Sequence, residues 1–135
     1  MNILDMSLNR FVGVYKDEKL CIDISENIKN HIGTIHASAL FLLAESASGK
    51  YLKSQFPELK NSVIPLLRQS NIKYKKTAIG TITAFASLSD EEKERFIKQF
   101  SKKSRGTIEV NITLKNENDE IVSISSFTWF IQKIK

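Results

Sequence analysis

The segment from Ala37 to Lys53 constrains the fold most. Leu40, Leu43, Ala44, Ala47 and Tyr51 recur at helical spacing, while Phe41 and Leu42 add apolar surface on other faces. A helix apolar nearly all round belongs inside other structure, so the rest of the chain must enclose it. One ionisable group sits in its middle: Glu45 follows Phe41-Leu42-Leu43-Ala44 and precedes Ser46-Ala47-Ser48-Gly49. A buried carboxylate must be paired, reached by solvent in a cleft, or protonated, because bare burial is strongly unfavourable. Glu45 therefore either belongs to a site or marks where the helix surfaces.

Strand patterns supply the enclosure. Leu20, Ile22 and Ile24 alternate with Cys21, Asp23 and Ser25 after a turn at Lys16-Asp17-Glu18-Lys19, with Phe11 to Tyr15 as the expected hairpin partner. Further strands are expected over Val63 to Lys75, Ala78 to Ser87, Thr107 to Leu114 and Ile121 to Ile131. In the third, Ile108, Val110, Ile112 and Leu114 share one face. The polar turn from Lys115 to Glu120 joins the last two as a hairpin. A second helix is signalled at Ser89-Asp90-Glu91-Glu92, where Ser89 caps the free amides and Glu92 reaches back in a capping box. Phe96, Ile97 and Phe100 give this helix one apolar side. Asn2 to Leu8 reads as a short helix over the sheet's open edge. The economical fold is α+β, an antiparallel sheet wrapped on one buried helix, forming a single domain over residues 1–135.

Composition narrows the function classes. With 135 residues, 41% of them hydrophobic, the chain can build its own core. Cys21 is the only cysteine, which excludes an intrachain disulfide and the Cys-rich zinc frameworks. His31 and His36 without clustered carboxylates give no metal site, and no cofactor is expected. The longest apolar run, Ala37 to Ala44 with Ser38 inside it, falls far short of the ~20 residues that span a bilayer, and the N-terminus has no signal-peptide pattern. A soluble cytoplasmic protein without membrane association is the expectation. The net charge of +5 suits an anionic partner. Lys73, Lys75 and Lys76 form one basic cluster, and Lys93, Arg95, Lys98, Lys102, Lys103 and Arg105 another. Either is a solvated face or a grip for phosphates. Nucleic-acid binding competes for the same charges, but no helix-turn-helix, RNP-type strand or zinc pattern accompanies them, so it ranks below the other readings.

Helical geometry places Ser38, Phe41 or Leu42, Glu45, and Ser48 or Gly49 along one stripe. His36 stands just before the helix, where the amides of Ala37 and Ser38 point outward at the positive end of the dipole and can hold an oxyanion. Phe127, Trp129 and Phe130 on the final strand either complete the core or line a tunnel.

The segment GTIHASALFLLAESASG resembles the central-helix signature of hotdog-fold acyl-CoA thioesterases of the phenylacetate-pathway type. In these a His-Gly-Gly turn opens the helix and an acidic residue follows nine positions after the histidine; His36 and Glu45 keep that spacing. Ala37 and Ser38 stand in place of the two glycines. NIKYKKTAIGTITAFA is similar to the family's next strand pair, with Tyr74, Lys76, Ala78, Gly80 and Ala84 in the matching places and Thr77 where the family has proline. Asn118-Asp119-Glu120 before Ile121-Val122-Ser123 is similar to its closing hairpin, so the resemblance spans roughly residues 10 to 131. It implies a homodimer or dimer of dimers, with acyl-CoA bound at the subunit interface. It makes Glu45 general base or nucleophile, the Ala37 amide the holder of the thioester oxygen, and His36 the residue positioning that turn. Ser38, Leu42, Ser48 and Gly49 would line the acyl side, and Lys75 and Lys76 would meet the coenzyme A phosphates. The helix from about Asp90 to Lys103 exceeds the connection in minimal members and is placed to cover or narrow a substrate tunnel. A noncatalytic acyl-CoA binder would use the same cleft.

Overall fold

The computed structural model describes residues 2–134. The central helix forms as expected: α2, Ala37–Gln55, opens on His36, whose ring Nδ1 accepts from the Ser38 amide at 3.0 Å. It is built mainly from good helix formers and stops at Phe56, ahead of Pro57, as the restriction on residues preceding proline dictates. Ala39, Leu40, Leu43, Ala44, Ala47 and Leu52 are buried along it.

Six strands enclose one side of α2: β1 (Tyr15–Asp17), β2 (Lys19–Asp23), β3 (Val63–Tyr74), β4 (Thr81–Ser87), β5 (Arg105–Lys115) and β6 (Ile121–Lys133). Their order in the sheet is β1-β2-β4-β5-β6-β3, with antiparallel neighbours throughout. This is the hotdog architecture. The alternation read in β5 holds, since Ile108, Val110, Ile112 and Leu114 are buried against α2. The final hairpin turns on Asn116, whose side-chain oxygen accepts from the amides of Asn118 and Glu120 at 3.0 Å each.

The N-terminal expectation needs correction. Phe11 does not begin a strand; Ser7–Val12 is a short helix, α1, ended by Gly13 at φ 89°, and only Tyr15 to Asp17 pairs with β2. The apolar residues Leu8 and Phe11 stay exposed, whereas Asn9 and Val12 turn inward, a helical pattern too short to be separated from a strand by sequence. A single 3-10 turn, Ile3–Asp5, precedes it, and Asn2 and Ile3 line a cavity with Gly49 of α2 and with Val63 and Pro65 of the edge strand β3.

The second helix, α3 (Asp90–Lys103), joins β4 to β5. Ser89 caps it by accepting from the Glu92 amide at 3.1 Å, but Glu92 does not reach back to complete a capping box. Its carboxylate instead accepts from Arg95 and from the Glu109 amide at 2.8 Å. β4 pairs with β5 only from Asn111 to Lys115, so the earlier half of β5 meets α3 in its place. Gln99 accepts from the Thr107 amide at 3.2 Å, and Arg95 donates to the Thr107 carbonyl at 2.7 Å. Gly106 permits this approach, since a Cβ there would lie 2.8 Å from the Gln99 oxygen and 3.3 Å from the Phe96 ring.

Candidate active site

The stripe of α2 left partly open runs through Ser38, Phe41, Leu42, Glu45 and Gly49. It leans over β6: the Phe41 ring meets Phe127 edge-on at 5.5 Å, and a Cβ on Gly49 would lie 3.3 Å from Trp129. Beyond β6 lies only β3, the edge strand. Glu45 is half-buried on this stripe, and no hydrogen bond or ion pair engages its carboxylate among the described residues. Burial without a partner raises its pKa above the ordinary 4.5. Ser48, expected on the same face, turns the other way. It is fully buried, donates to the Glu45 carbonyl at 2.7 Å and accepts from Trp129 Nε1 at 2.9 Å, so it joins helix to sheet and is closed to a substrate.

At the start of α2, His36 is exposed and acts through its ring as the cap already described. The Ala37 amide, by contrast, finds no acceptor among the described residues. Ala37 and Ser38 belong to the helix and neither has positive φ, so nothing in this backbone requires glycine at either position. A cleft of about 340 Å³ opens beside them, lined by Thr34, Ala37, Leu40, Tyr74, Lys75 and Lys76 among others. Of the basic residues read from sequence, Lys75 and Lys76 thus line the cleft at the helix N-terminus. Lys76 is ion-paired with Glu120, whose pKa that contact lowers; Lys75 is exposed and has no acidic partner among the described residues.

Tyr74 reaches this site because of a bulge. Leu67 pairs with Trp129 but Gln69 with Thr128, so Arg68 is the extra residue. Side chains on odd positions face α2 before it and those on even positions after it. The shift aims Tyr74 inward, where its hydroxyl donates to the Ala37 carbonyl at 3.1 Å and burial raises its pKa. Arg68 itself stacks over Phe130 at 3.9 Å, on the sheet's outer surface. Sequence reading placed Tyr74 in a motif without a role, and a strand period of two carries no sign of the bulge that turns it inward.

Glu45 and Ala37 do not meet within one chain. Eight residues at ~1.5 Å rise separate them by about 12 Å along the helix, and a glutamate side chain spans only part of that gap. No helix among the described residues is long and apolar enough to cross a membrane.

Comparison with solved structures agrees with the fold. A probable thioesterase from Pseudomonas aeruginosa superposes with TM-score 0.80 at 20% identity, over 98% of this chain and 91% of that one. A Bacillus halodurans protein crystallised with CoA gives 0.74 at 18% identity, over 93% and 76%. A thioesterase from Staphylococcus aureus, solved as a point mutant, gives 0.71 at 20% identity, over 94% and 99%. No curated protein matches the sequence significantly. The model of the family described as domain of unknown function DUF4442 matches residues 19–131, nearly the whole sheet and both longer helices, and the chain belongs to that family.

Proposed function

We propose that this protein hydrolyses acyl-CoA thioesters at a site shared between two copies of the chain. The observation that carries the reading is the pair of groups on α2: an unpartnered, half-buried carboxylate at Glu45 and an open first amide at Ala37, too far apart to serve one substrate in one chain. β3 is a twelve-residue edge strand that exposes Ile64 and Leu66, the kind of edge that invites pairing. Pairing β3 with its copy about a two-fold axis runs the two α2 helices antiparallel, their open stripes facing. Glu45 of one copy then stands toward Ala37 of the other.

In this arrangement the Ala37 amide holds the thioester carbonyl oxygen as charge develops on it, and His36, by capping Ser38, fixes the turn that aims the amide. Glu45 from the other copy either takes a proton from water or attacks the carbonyl carbon itself. The C–S bond breaks, the departing sulfur is protonated to the coenzyme A thiol, and the acyl group leaves as a carboxylate, directly or after water cleaves the anhydride. Lys75 and Lys76 stand at the Ala37 cleft, where coenzyme A phosphates would lie. The coenzyme A seen with the Bacillus halodurans protein is consistent with this ligand class.

The test is free-thiol release from short, medium, long and aromatic acyl-CoAs by wild type, Glu45→Gln and Ala37→Pro. Ala37 is the first helical residue and His36 is extended at φ −61° and ψ 138°, so proline removes only the amide proton. Each variant alone should lose turnover, and mixing the two by unfolding and refolding should restore it through the one intact composite site of the mixed dimer. Failure of the mixture with both variants folded would exclude a shared site; coenzyme A binding without turnover in wild type would make the protein a noncatalytic acyl-CoA binder.

A further inference from the structure

A second cavity, of about 690 Å³, lies at the opposite end of α2 from the coenzyme A cleft. Its volume falls within the ~300–1,000 Å³ typical of small-molecule sites. Leu52, Phe56, Leu59, Phe96 and Ile131 give it apolar walls drawn from α2, the 3-10 turn Pro57–Leu59, α3 and β6. The extra helix contributes Phe96, which packs against Phe56 at 5.2 Å and Phe100 at 5.6 Å. The cavity begins at Gly49, four residues or about 6 Å along the helix from Glu45 and on the same stripe. Lys50, Lys53 and Lys60 also line it, no acidic side chain does, and none of the three lysines is ion-paired among the described residues.

We infer that this cavity receives an unbranched aliphatic acyl chain of medium to long length, and that the positive charge of its lysines attracts the carboxylate of the freed acid, which lies at the Glu45 end of the chain. The inference rests on the shared-site reading for its connection to catalysis. Antiparallel pairing of β3 sets the Val63 end of one strand beside the Tyr74 end of the other, so the cavity of the chain supplying Glu45 adjoins the cleft of the copy supplying Ala37. A thioester held between Glu45 and Ala37 then points its chain past Gly49 into the apolar walls. Short and aromatic acyl groups would leave much of that volume unfilled.

Palmitate, dodecanoate and octanoate are titrated into the intact protein and followed by calorimetry and by the fluorescence of Trp129, the only tryptophan, which packs against Gly49 at the cavity wall. Palmitate should bind saturably and more tightly than octanoate. Val63→Phe, which fills the cavity, should weaken palmitate by at least about tenfold. Lys50→Glu with Lys53→Glu should weaken palmitate but not the uncharged hexadecanol. Absence of palmitate binding by wild type, or full affinity in folded Val63→Phe, overturns the inference even if acyl-CoA turnover is found. Palmitate binding with these variant effects but no acyl-CoA turnover upholds the cavity's assignment and removes the hydrolytic reading alone.

Discussion

Glu45 and Glu92 are both glutamates on helices packed against the same sheet, and their surroundings differ in one respect. Glu92 has partners: Arg95 lowers its pKa through two hydrogen bonds, burial opposes this, and the Glu109 amide adds a third bond. Glu45 has burial without partners, and its pKa moves up. The partnered carboxylate is committed to holding α3 against β5. The unpartnered one retains its proton-accepting capacity for something that arrives from outside, at a cost in stability of the empty protein. Burial alone therefore does not distinguish a structural acid from a chemical one; the presence of a fixed donor does.

The largest expected effect would break this comparison at its functional side. Glu45→Gln should lower kcat for acyl-CoA hydrolysis by about 10²–10⁴-fold, the usual worth of a positioned acid or base. Unchanged turnover would place the chemistry elsewhere. Glu92→Ala should leave kcat within about twofold of wild type while lowering stability by about 1–3 kcal/mol, because it removes the carboxylate partner of Arg95 and leaves the Glu109 amide without its acceptor; chemical denaturation measures this. Ser89→Ala, which removes only the α3 cap, should cost about 1 kcal/mol by the same method.

The pH dependences have opposite signs. Glu92 has a folded-state pKa below its unfolded one, so its stabilisation is complete above the unfolded value and is lost as pH falls through the folded value. For Glu45 the folded value is the higher, so its destabilisation is fully present above that value and is relieved as pH falls through it. The acid limb of kcat/KM should accordingly fall above 4.5, the ordinary value for this group, and should vanish from the residual activity of Glu45→Gln. The smallest effect is on stability: at neutral pH the same variant should gain no more than ~1 kcal/mol, since the side chain is still partly open to water.

Much of the scaffold was legible because its patterns are local. Ala37–Gln55 and the alternation Ile108, Val110, Ile112, Leu114 follow from periodicity over a single element, and Glu45 stood out as the one charge in an apolar run. What was misread or missed lies where one element's meaning depends on another. Ser48 shares helical spacing with the open stripe but is drawn inward by the Trp129 indole, 81 residues away in sequence. Tyr74 lies on the helix-facing side only because Arg68 is accommodated as a bulge against β6. The Leu52–Phe96 cavity was invisible for the same reason: its walls come from four segments, each of which reads as ordinary core or ordinary surface by itself.

The side chains of Glu92, Arg95 and Gln99 occupy the hydrogen-bonding positions along early β5 that a longer β4 would fill. That stretch is thereby closed to foreign backbone, and the sheet's far margin is only the three-residue β1, which carries Lys16 and Asp17. A sheet so arranged has one long margin able to accept another strand. Growth by backbone pairing must stop after a single addition, which protects a chain with this much exposed β-structure from extending into filaments.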